Sequence, residues 1–359
     1  MYIDWLQIQN VRNLTNIKIR PSSKLNLIIG PNASGKTSIL EAIYILSRAR
    51  SFRTHRINEV IQHDKTSLVV TAGLKYSNGG VIRTGIEKGP KKTAIHYNGE
   101  NINKSSIQTR NTPLVLIAHD VNGLITGAPK QRRNWLDWAM FHVEPTYLDS
   151  WRNYHKALRQ RNKSLANTTR PYDTLSGWEY LLAETAEIIT KQRHEFLTIL
   201  DENLDQIAKE VQLFQVKIGL DKGWPGEQGL LPHLQNARET DRRLGFTKHG
   251  IHCADVLFHI NQRALAAACS RGQIKLFLVL LHISQARALE LITGEPPLYL
   301  IDDYRAEIDL SARKAIFNLM SKTGAQTFFT ATETDGLETQ FANVKTFHVE
   351  RGEVEEVVE

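Results

Sequence analysis

The sequence has little cysteine and no long apolar run, and both absences narrow the class of protein. Its two cysteines, Cys253 and Cys269, are not spaced as metal ligands. No uninterrupted apolar stretch reaches the roughly 20 residues that span a bilayer, and residues 1–5 lack the basic segment and apolar stretch of a targeting signal. We therefore expect a soluble protein of the reducing cytoplasm that has no membrane partner.

Positive charge is what the chain has in excess. Lysine and arginine number 45 against 38 acidic residues, which gives a formal net charge of +7. This balance is compatible with a polyanionic partner but does not identify one. The 359 residues also exceed the length at which one hydrophobic core usually suffices, so two lobes are expected.

Strand and helix patterns alternate at both ends of the chain, with a long helical region between them. Asn-Gly pairs favour antiparallel hairpins within residues 67–103, and residues 273–293 predict a buried helix. The sequence therefore predicts an α/β fold with an antiparallel β subdomain and an inserted, mostly helical lobe. The predicted strands lie within residues 2–20, 25–29, 67–103, 297–301, 326–331 and 344–358, and residues 113–117 form a further apolar segment. The predicted N-terminal part of the α/β lobe is residues 1–120, the inserted lobe is 121–245, and the C-terminal part is 246–359.

A phosphate-binding loop follows the predicted strand at residues 25–29. The loop matches G-x-x-x-x-G-K-[ST] in full and is followed by a predicted helix that begins at Lys36. In such a loop the backbone amides surround the β-phosphate, Lys36 reaches the β- and γ-phosphates, and the Thr37 hydroxyl binds Mg²⁺. The predicted ATP-binding residues of the loop are Gly30, Pro31, Asn32, Ala33, Ser34, Gly35, Lys36 and Thr37.

Two consecutive acids follow the predicted strand at residues 297–301. Alone, such a pair is usually a solvated strand end, but beside a phosphate-binding loop it has a specific use. Asp302 is expected to hold Mg²⁺, directly or through water, and Asp303 to orient or deprotonate the attacking water. Lys36 and Asp303 are thus the predicted catalytic residues, and Thr37 and Asp302 are the predicted metal ligands.

The segment Ser270-Arg271-Gly272-Gln273 stands directly before the predicted buried helix. It can be an ordinary helix N-cap, but it also resembles the signature motif of ABC-type ATPases and precedes the acidic strand as in that family. The resemblance implies that Ser270 and Gly272, with Gln273 beside them, bind the γ-phosphate held by the loop of a second subunit. ATP would then hold a head-to-tail homodimer together. Residues 306–309 lie where that family has its D-loop.

Further stretches resemble the RecF family of bacterial recombination and repair ATPases. They are residues 6–14, 30–53, 127–138, 141–142, 144–145, 156–162, 249–255, 270–275 and 299–303. The resemblance implies an ABC-type ATPase head whose ATP-bound dimer clamps duplex DNA near single-strand gaps and opens on slow hydrolysis. It also implies that RecR and RecO act with the protein to load recombinase onto gapped DNA.

Four positions depart from the family pattern. Ala33 stands where glycine is usual, and Ile-Ala-His-Asp at residues 117–120 replaces a stretch expected to contain proline followed by an acid, which would be the γ-phosphate sensor. Arg305 replaces a small residue close to the D-loop, where it would tune or weaken the dimer. Residues 326–332 contain no switch histidine, and Thr330 is the residue expected in its place, which would suit slow hydrolysis.

A basic helix face is the predicted DNA contact. Residues 151–170 contain no acid, and four of their basic residues recur three or four positions apart, so that they share one helix face. A solvated helix face is the alternative for these four, and pairing with acids inside the lobe is the alternative for two further arginines. No base-reading motif is present, so phosphate and shape recognition are expected. The predicted DNA-binding residues are Arg132, Arg133, Arg152, Lys156, Arg159 and Lys163.

Three other functions are left open by the residues alone. A transporter motor would need a membrane partner and normally a switch histidine. A GTPase switch would need Asn-Lys-x-Asp, and the nearest segment, residues 162–165, lacks the acid. A nucleotide-binding protein with negligible turnover is compatible with the departures at His119 and Arg305.

Overall fold

A computed structural model describes residues 1–102, 105–118, 123–167, 173–211, 214–303, 310–333, 336 and 344–357. The chain divides into two compact units, one of Met1–Val121 with Lys275–Glu359 and the other of Asn122–Ile274. The split of the first unit between the two chain ends follows the predicted pattern. The second boundary falls after Ile274, whereas the sequence prediction places it after residue 245.

The first unit holds two sheets and the helices beside them. In chain order, its strands are β1 (Tyr2–Val11), β2 (Leu14–Ile19), β3 (Leu25–Ile29), β4 (Leu68–Lys75), β5 (Val81–Lys88), β6 (Thr93–Tyr97), β7 (Glu100–Asn101), β8 (Leu114–Ile117), β12 (Leu298–Ile301), β13 (Thr327–Ala331), β14 (Val344–Glu350) and β15 (Glu353–Val357). Its helices are α1 (Lys36–Arg48), α2 (Ser105–Asn111), α11 (Leu310–Lys322) and most of α10 (Arg271–Thr293), with a 3-10 turn at Ile57–Glu59.

The first sheet carries the phosphate-binding loop. Its order is β15-β14-β3-β13-β12-β8, with parallel pairing from β14 to β8 and an antiparallel terminal hairpin of β14 and β15. The central strands are mostly apolar and nearly every residue in them is buried, as expected for a sheet covered on both faces. Because parallel strands end at one edge, β3, β13 and β12 bring the residues that follow them to the same edge of the sheet.

The second sheet is the predicted antiparallel subdomain, in the order β2-β1-β4-β5-β6-β7. Buried residues alternate along β1 and β4, which is the pattern of strands with one face on a core. At the turn between β6 and β7, Asn98 and Gly99 both have positive φ, 52° and 86°. This is the backbone that a two-residue hairpin turn requires, so the Asn-Gly signal is confirmed there. The sheets and helices together confirm the predicted α/β class.

The second unit is mostly helical, as predicted, and also contains a small antiparallel sheet. Its helices are α3 (Gly123–Thr126), α4 (Pro129–Val143), α5 (Tyr147–Ala166), α6 (Asp173–Glu210), α7 (Leu230–Asn236), α8 (Arg238–Leu244), α9 (Leu265–Ala268) and the first turn of α10. Its sheet has the order β11-β10-β9, from β9 (Lys217–Asp221), β10 (Asp255–Ile260) and β11 (Arg263–Ala264). Pairing of β10 with β9 ties residues beyond 245 to this unit, which explains the later boundary.

Helix α10 is the predicted buried helix. By length and composition it would pass as a membrane span, but about two thirds of its most apolar window is buried inside the protein. Phe277, Leu280 and Leu281 are fully covered. Helix α10 is therefore a core helix of the fold, and its apolar surface is used for packing.

Candidate functional site

The phosphate-binding loop lies between β3 and α1, and the backbone around its two glycines requires them. Gly30 has a φ of 149° and Gly35 a φ of 125°, values that L side chains rarely adopt. A Cβ at Gly30 would lie 2.1 Å from the carbonyl oxygen of Val349, and a Cβ at Gly35 would lie 2.8 Å from Cδ2 of Leu14. A side chain at either position would therefore displace its neighbours and change the loop.

Ala33, the loop residue that departs from the family pattern, has a left-handed backbone with a φ of 62°. An L residue in this region costs roughly 1–2 kcal/mol, a cost that glycine does not carry. The alanine therefore keeps the loop in a conformation suited to glycine and adds local strain.

Lys36 is held at the loop by carbonyl oxygens. Its Nζ donates to the oxygens of Gly30 and Pro31, both at 2.7 Å. Partial burial lowers the pKa of Lys36, while the nearby charges of Asp302 and Asp303 act in the opposite direction. The ammonium group is thus positioned near both acids and at the mouth of the loop, as the motif predicts.

The loop cavity also contains a buried hydroxyl that lacks a partner. Ser34 Oγ is buried and, among the described residues, has no hydrogen-bond partner. It lines a cavity of about 400 Å³. The other lining residues are Arg12, Ala33, Gly35, Lys36, Thr37, Ser38 and Arg53. A free hydroxyl donor surrounded by three cationic side chains is suited to a polyphosphate, so the residues present fit the predicted nucleotide.

The two predicted metal ligands are in direct contact. Thr37 Oγ1 donates to Asp302 Oδ1 at 3.0 Å, and the backbone N–H of Asp302 donates to the carbonyl oxygen of Ile117 at 2.9 Å. Thr37 is the second residue of α1, and Asp302 directly follows β12, so the shared sheet edge brings them together. A hydroxyl and a carboxylate in contact are hard oxygen ligands of the type that Mg²⁺ prefers, so this pair fits the expected metal.

Asp303 and Thr330 complete this edge of the sheet. Asp303 is exposed and has a left-handed backbone, with a φ of 49°. Its N–H donates to Thr330 Oγ1 at 2.8 Å, and Thr330 Oγ1 donates in turn to Asp302 Oδ1 at 2.7 Å. Thr330 was expected in the place of a switch histidine. Its hydroxyl is instead directed at the two acids.

A buried acid on α1 organises residues that the sequence analysis did not assign. Glu41 is fully buried and accepts two hydrogen bonds from Arg12, at 2.9 and 3.0 Å, and one from Ser51. Arg53 Nη1 lies 3.8 Å from the same carboxylate. Glu41 thereby fixes two arginines that line the loop cavity. The only sequence signal was a charged residue at a core-facing position of an apolar helix.

The signature-like segment belongs to the second unit and forms a reciprocal cap at the start of α10. Ser270 Oγ accepts from the backbone N–H of Gln273 at 3.3 Å, and Gln273 Oε1 accepts from the N–H of Ser270 at 2.9 Å. Ser270, Gly272 and Gln273 are all exposed. The N-cap interpretation is therefore correct for the free chain, and the exposed segment also remains accessible to a second subunit.

The predicted basic face lies on α5. Arg152, Lys156, Arg159 and Lys163 are all exposed there. Arg152 lies 3.5 Å from Asp149, and within the described part of the chain the other three have no ion-pair partner. These four cations remain candidates for phosphate contacts.

A neighbouring arginine on the same helix, Arg161, has a structural environment. Its side chain is fully buried, with Nη1 2.6 Å from Asp241 and Nη2 3.2 Å from Glu179. Helical spacing places Arg161 off the exposed face of α5, which agrees with its absence from the predicted DNA-binding residues.

Arg132 and Arg133 both have hydrogen-bond partners within the second unit. Arg132 forms a two-point ion pair with Asp255, at 2.6 and 2.9 Å, and also donates to the carbonyl oxygens of Leu124 and Gly127. Arg133 donates to the carbonyl oxygen of Ala254 at 2.6 Å. Arg132 therefore fits the alternative interpretation, pairing with an acid inside the lobe. Arg133 uses one N–H for a carbonyl oxygen and contacts no acid in the described part of that unit, so its contact with DNA stays a prediction.

Some predicted features lie outside the described residues. They are His119 and Asp120 of the expected γ-phosphate sensor, and residues 304–309 with Arg305 and the D-loop.

Three features define a P-loop ATPase head of the ABC type: a glycine-dependent loop that opens into a helix, a hydroxyl–carboxylate pair at the same edge of the sheet, and a split α/β lobe. Comparisons with known proteins support this class. The profile of the RecF/RecN/SMC N-terminal domain family matches residues 2–355. The chain is 36% identical to the DNA replication and repair protein RecF of Nitrosococcus oceani over all of both chains, and 34% identical to that of Shewanella loihica over 99% of both. The chain belongs to the RecF family.

Solved structures agree with the fold. A structure of the recombination mediator protein RecF with ATP matches 99% of this chain and 98% of its own, with a TM-score of 0.87 at 24% identity. The Smc head domain of Pyrococcus furiosus matches 99% of this chain and 96% of its own, with a TM-score of 0.60 at 15% identity. The predicted fold, an ABC-type ATPase head with an inserted helical lobe, is therefore confirmed.

Proposed function

We propose that this protein is a weak ATPase that binds DNA in recombinational repair and replication restart. Its ATP-bound homodimer clamps duplex DNA near single-strand gaps, and slow hydrolysis releases the DNA. The observation that carries the proposal is the contact between Thr37 and Asp302 beside a loop cavity that contains the unpartnered Ser34 hydroxyl. This arrangement is suited to a nucleoside triphosphate with its metal ion.

Each residue of the nucleotide site has a distinct task. Lys36 and the loop amides bind the phosphates, and Thr37 with Asp302 holds Mg²⁺, directly or through water. When bound, Mg²⁺ supplies positive charge beside the β- and γ-phosphates. The exposed carboxylate of Asp303 orients the attacking water or accepts its proton.

The second half of the site comes from another copy of the chain. Ser270 Oγ uses a lone pair to cap α10, so its own proton is available to a γ-phosphate oxygen. The exposed Gly272 allows a close approach of the phosphate. Contacts of this kind stabilise the dimer only while the γ-phosphate is present, so hydrolysis acts as a timer for DNA release.

DNA is bound through phosphates by the face of Arg152, Lys156, Arg159 and Lys163. Exposed cations at helical spacing suit a duplex backbone and carry no sequence information. Four such contacts would contribute roughly 3 to 4 units to the slope of log affinity against log salt.

RecR and RecO are the proposed protein partners, in the loading of recombinase onto gapped DNA in the cytoplasm. The support is family membership, and the matched RecF structure is described as part of the RecFOR pathway.

Fluorescence anisotropy with a gapped duplex tests this proposal, with ATP and Mg²⁺ and without nucleotide, at two salt concentrations. We expect ATP to tighten binding and the affinity to fall with salt. Lys36→Ala should remove the ATP effect. Lys345→Ala should retain it, because Lys345 is a half-buried lysine of the same unit that pairs with Glu356 and does not line the loop cavity. Weak binding that is indifferent to ATP would contradict the proposed clamp.

A further inference from the structure

Thr330 occupies a central position at the site. It lies on β13, which pairs with β3 on one side and β12 on the other, opposite Ile28 in the register with β3. Its side chain is 1% exposed. Thr330 therefore lies on a strand that is paired on both sides. One neighbour, β3, leads into the phosphate-binding loop, and the other, β12, leads into the two acids.

The single hydroxyl of Thr330 contacts both acids in different ways. It donates its proton to Asp302 Oδ1 at 2.7 Å and accepts the backbone N–H of Asp303 at 2.8 Å. A hydroxyl has one proton and two lone pairs, so these two bonds set its orientation. One side chain therefore fixes the carboxylate of the first acid and the backbone of the second.

Both hydrogen bonds of Thr330 affect groups that the proposed ATP hydrolysis uses. The terminal torsion of an aspartate is broad, so a carboxylate keeps one orientation only when its neighbours hold it. Asp302 Oδ1 accepts from both Thr37 and Thr330. The bond from Thr330 uses one of the roughly four lone-pair sites of the carboxylate, so the others can serve a metal ion shared with Thr37. The bond to the N–H of Asp303 supports the left-handed backbone that sets the direction of the Asp303 side chain.

We propose that Thr330 is a positioning residue that couples the metal-holding acid to the acid that acts on water. This inference rests on the proposed ATPase function. It assigns Thr330 a role that differs from that of a switch histidine, because its hydroxyl acts through Asp302 and Asp303 and not on the γ-phosphate.

Three variants test the inference. Thr330→Val removes the hydroxyl at similar size, Thr330→Ser retains it, and Thr327→Val makes the same change on the same strand. Thr327 is fully buried, and its hydroxyl lies 3.9 Å from Met320 Sδ, away from both acids, so it is a matched control.

The readouts are kcat, the affinity for ATP without metal, and the Mg²⁺ concentration that half-saturates the tightening of ATP binding. Thr330→Val should lower kcat roughly 10- to 100-fold, the effect of a hydrogen bond to a charged group. It should also raise the Mg²⁺ requirement and leave metal-free ATP affinity unchanged. Thr330→Ser should restore both parameters.

Equal values for Thr330→Val and Thr327→Val in both kcat and Mg²⁺ requirement would overturn the positioning role. Failure of Thr330→Ser to rescue would also overturn it, because the methyl group and not the hydroxyl would then matter. If the wild-type protein hydrolyses no ATP, the proposed ATPase function fails, and the Mg²⁺ dependence of ATP binding still tests Thr330 by itself.

Discussion

The proposed nucleotide site and the proposed DNA-binding face of α5 both present cations, yet they are built in opposite ways. At the nucleotide site the side chains hold one another, as Thr37 and Thr330 hold Asp302 and Glu41 holds Arg12. On α5 the cations extend into solvent. The difference indicates that the orientation of individual side chains matters most at the proposed nucleotide site. On α5 the number of exposed positive charges matters most. Single substitutions should therefore have large effects at the first site and small effects at the second.

Asp303→Asn should produce the largest effect. The change removes the group that accepts a proton from water but retains its size, so kcat should fall about 10²- to 10⁴-fold. ATP binding should persist, because the loop residues are unchanged. Steady-state hydrolysis and equilibrium binding of a fluorescent ATP analogue measure the two parameters. An unchanged kcat would exclude Asp303 as the group that acts on water.

Arg161→Ala and Arg159→Ala compare two arginines of one helix. Arg161 contacts both buried acids, Glu179 and Asp241. Its removal leaves their buried charges less well paired, which should lower the free energy of unfolding by about 3–5 kcal/mol. Removal of the exposed Arg159 should change that free energy by less than about 0.5 kcal/mol. Denaturant unfolding measures both variants, and equal losses would contradict the structural assignment of Arg161.

Arg159→Ala should instead weaken DNA binding. Loss of one phosphate contact should reduce the slope of log affinity against log salt by roughly 0.9 for duplex DNA. The matched control is Arg243→Ala, because Arg243 is also an exposed arginine of the second unit but lies on α8 and near Glu239. Anisotropy titrations at several salt concentrations measure the slopes, and equal slopes for the two variants would remove the α5 face from the DNA contact.

The sequence predicted those features that local pattern determines. The phosphate-binding loop, the strand that precedes Asp302 and the terminal hairpin depend on contiguous residues, and each is confirmed as structure. Features that depend on distant partners were not predictable. Arg132 pairs with Asp255 across a long stretch of sequence, and nothing in its neighbours distinguishes it from an exposed cation.

The same limit applies inside the nucleotide site. The family pattern placed Thr330 at the position of a switch histidine, but its hydrogen bonds depend on the register of β13 with β12 and β3. Glu41 was visible as an acid in an apolar helix, yet its partners, Arg12 and Ser51, come from two different loops. Local patterns identified the loop and the acidic strand end of the proposed nucleotide site. The contacts that orient their side chains arise only when distant segments meet in the folded chain.

The central claim is that a complete site needs the loop of one subunit and Ser270 of another. The most direct test mixes Lys36→Ala with Ser270→Asp, since aspartate retains the helix cap but places a negative charge against the phosphate. Each variant alone should hydrolyse little ATP. The equimolar mixture should recover hydrolysis and ATP-dependent DNA binding, because each mixed dimer holds one intact site. A mixture no more active than its components, with both variants folded, would contradict the shared site.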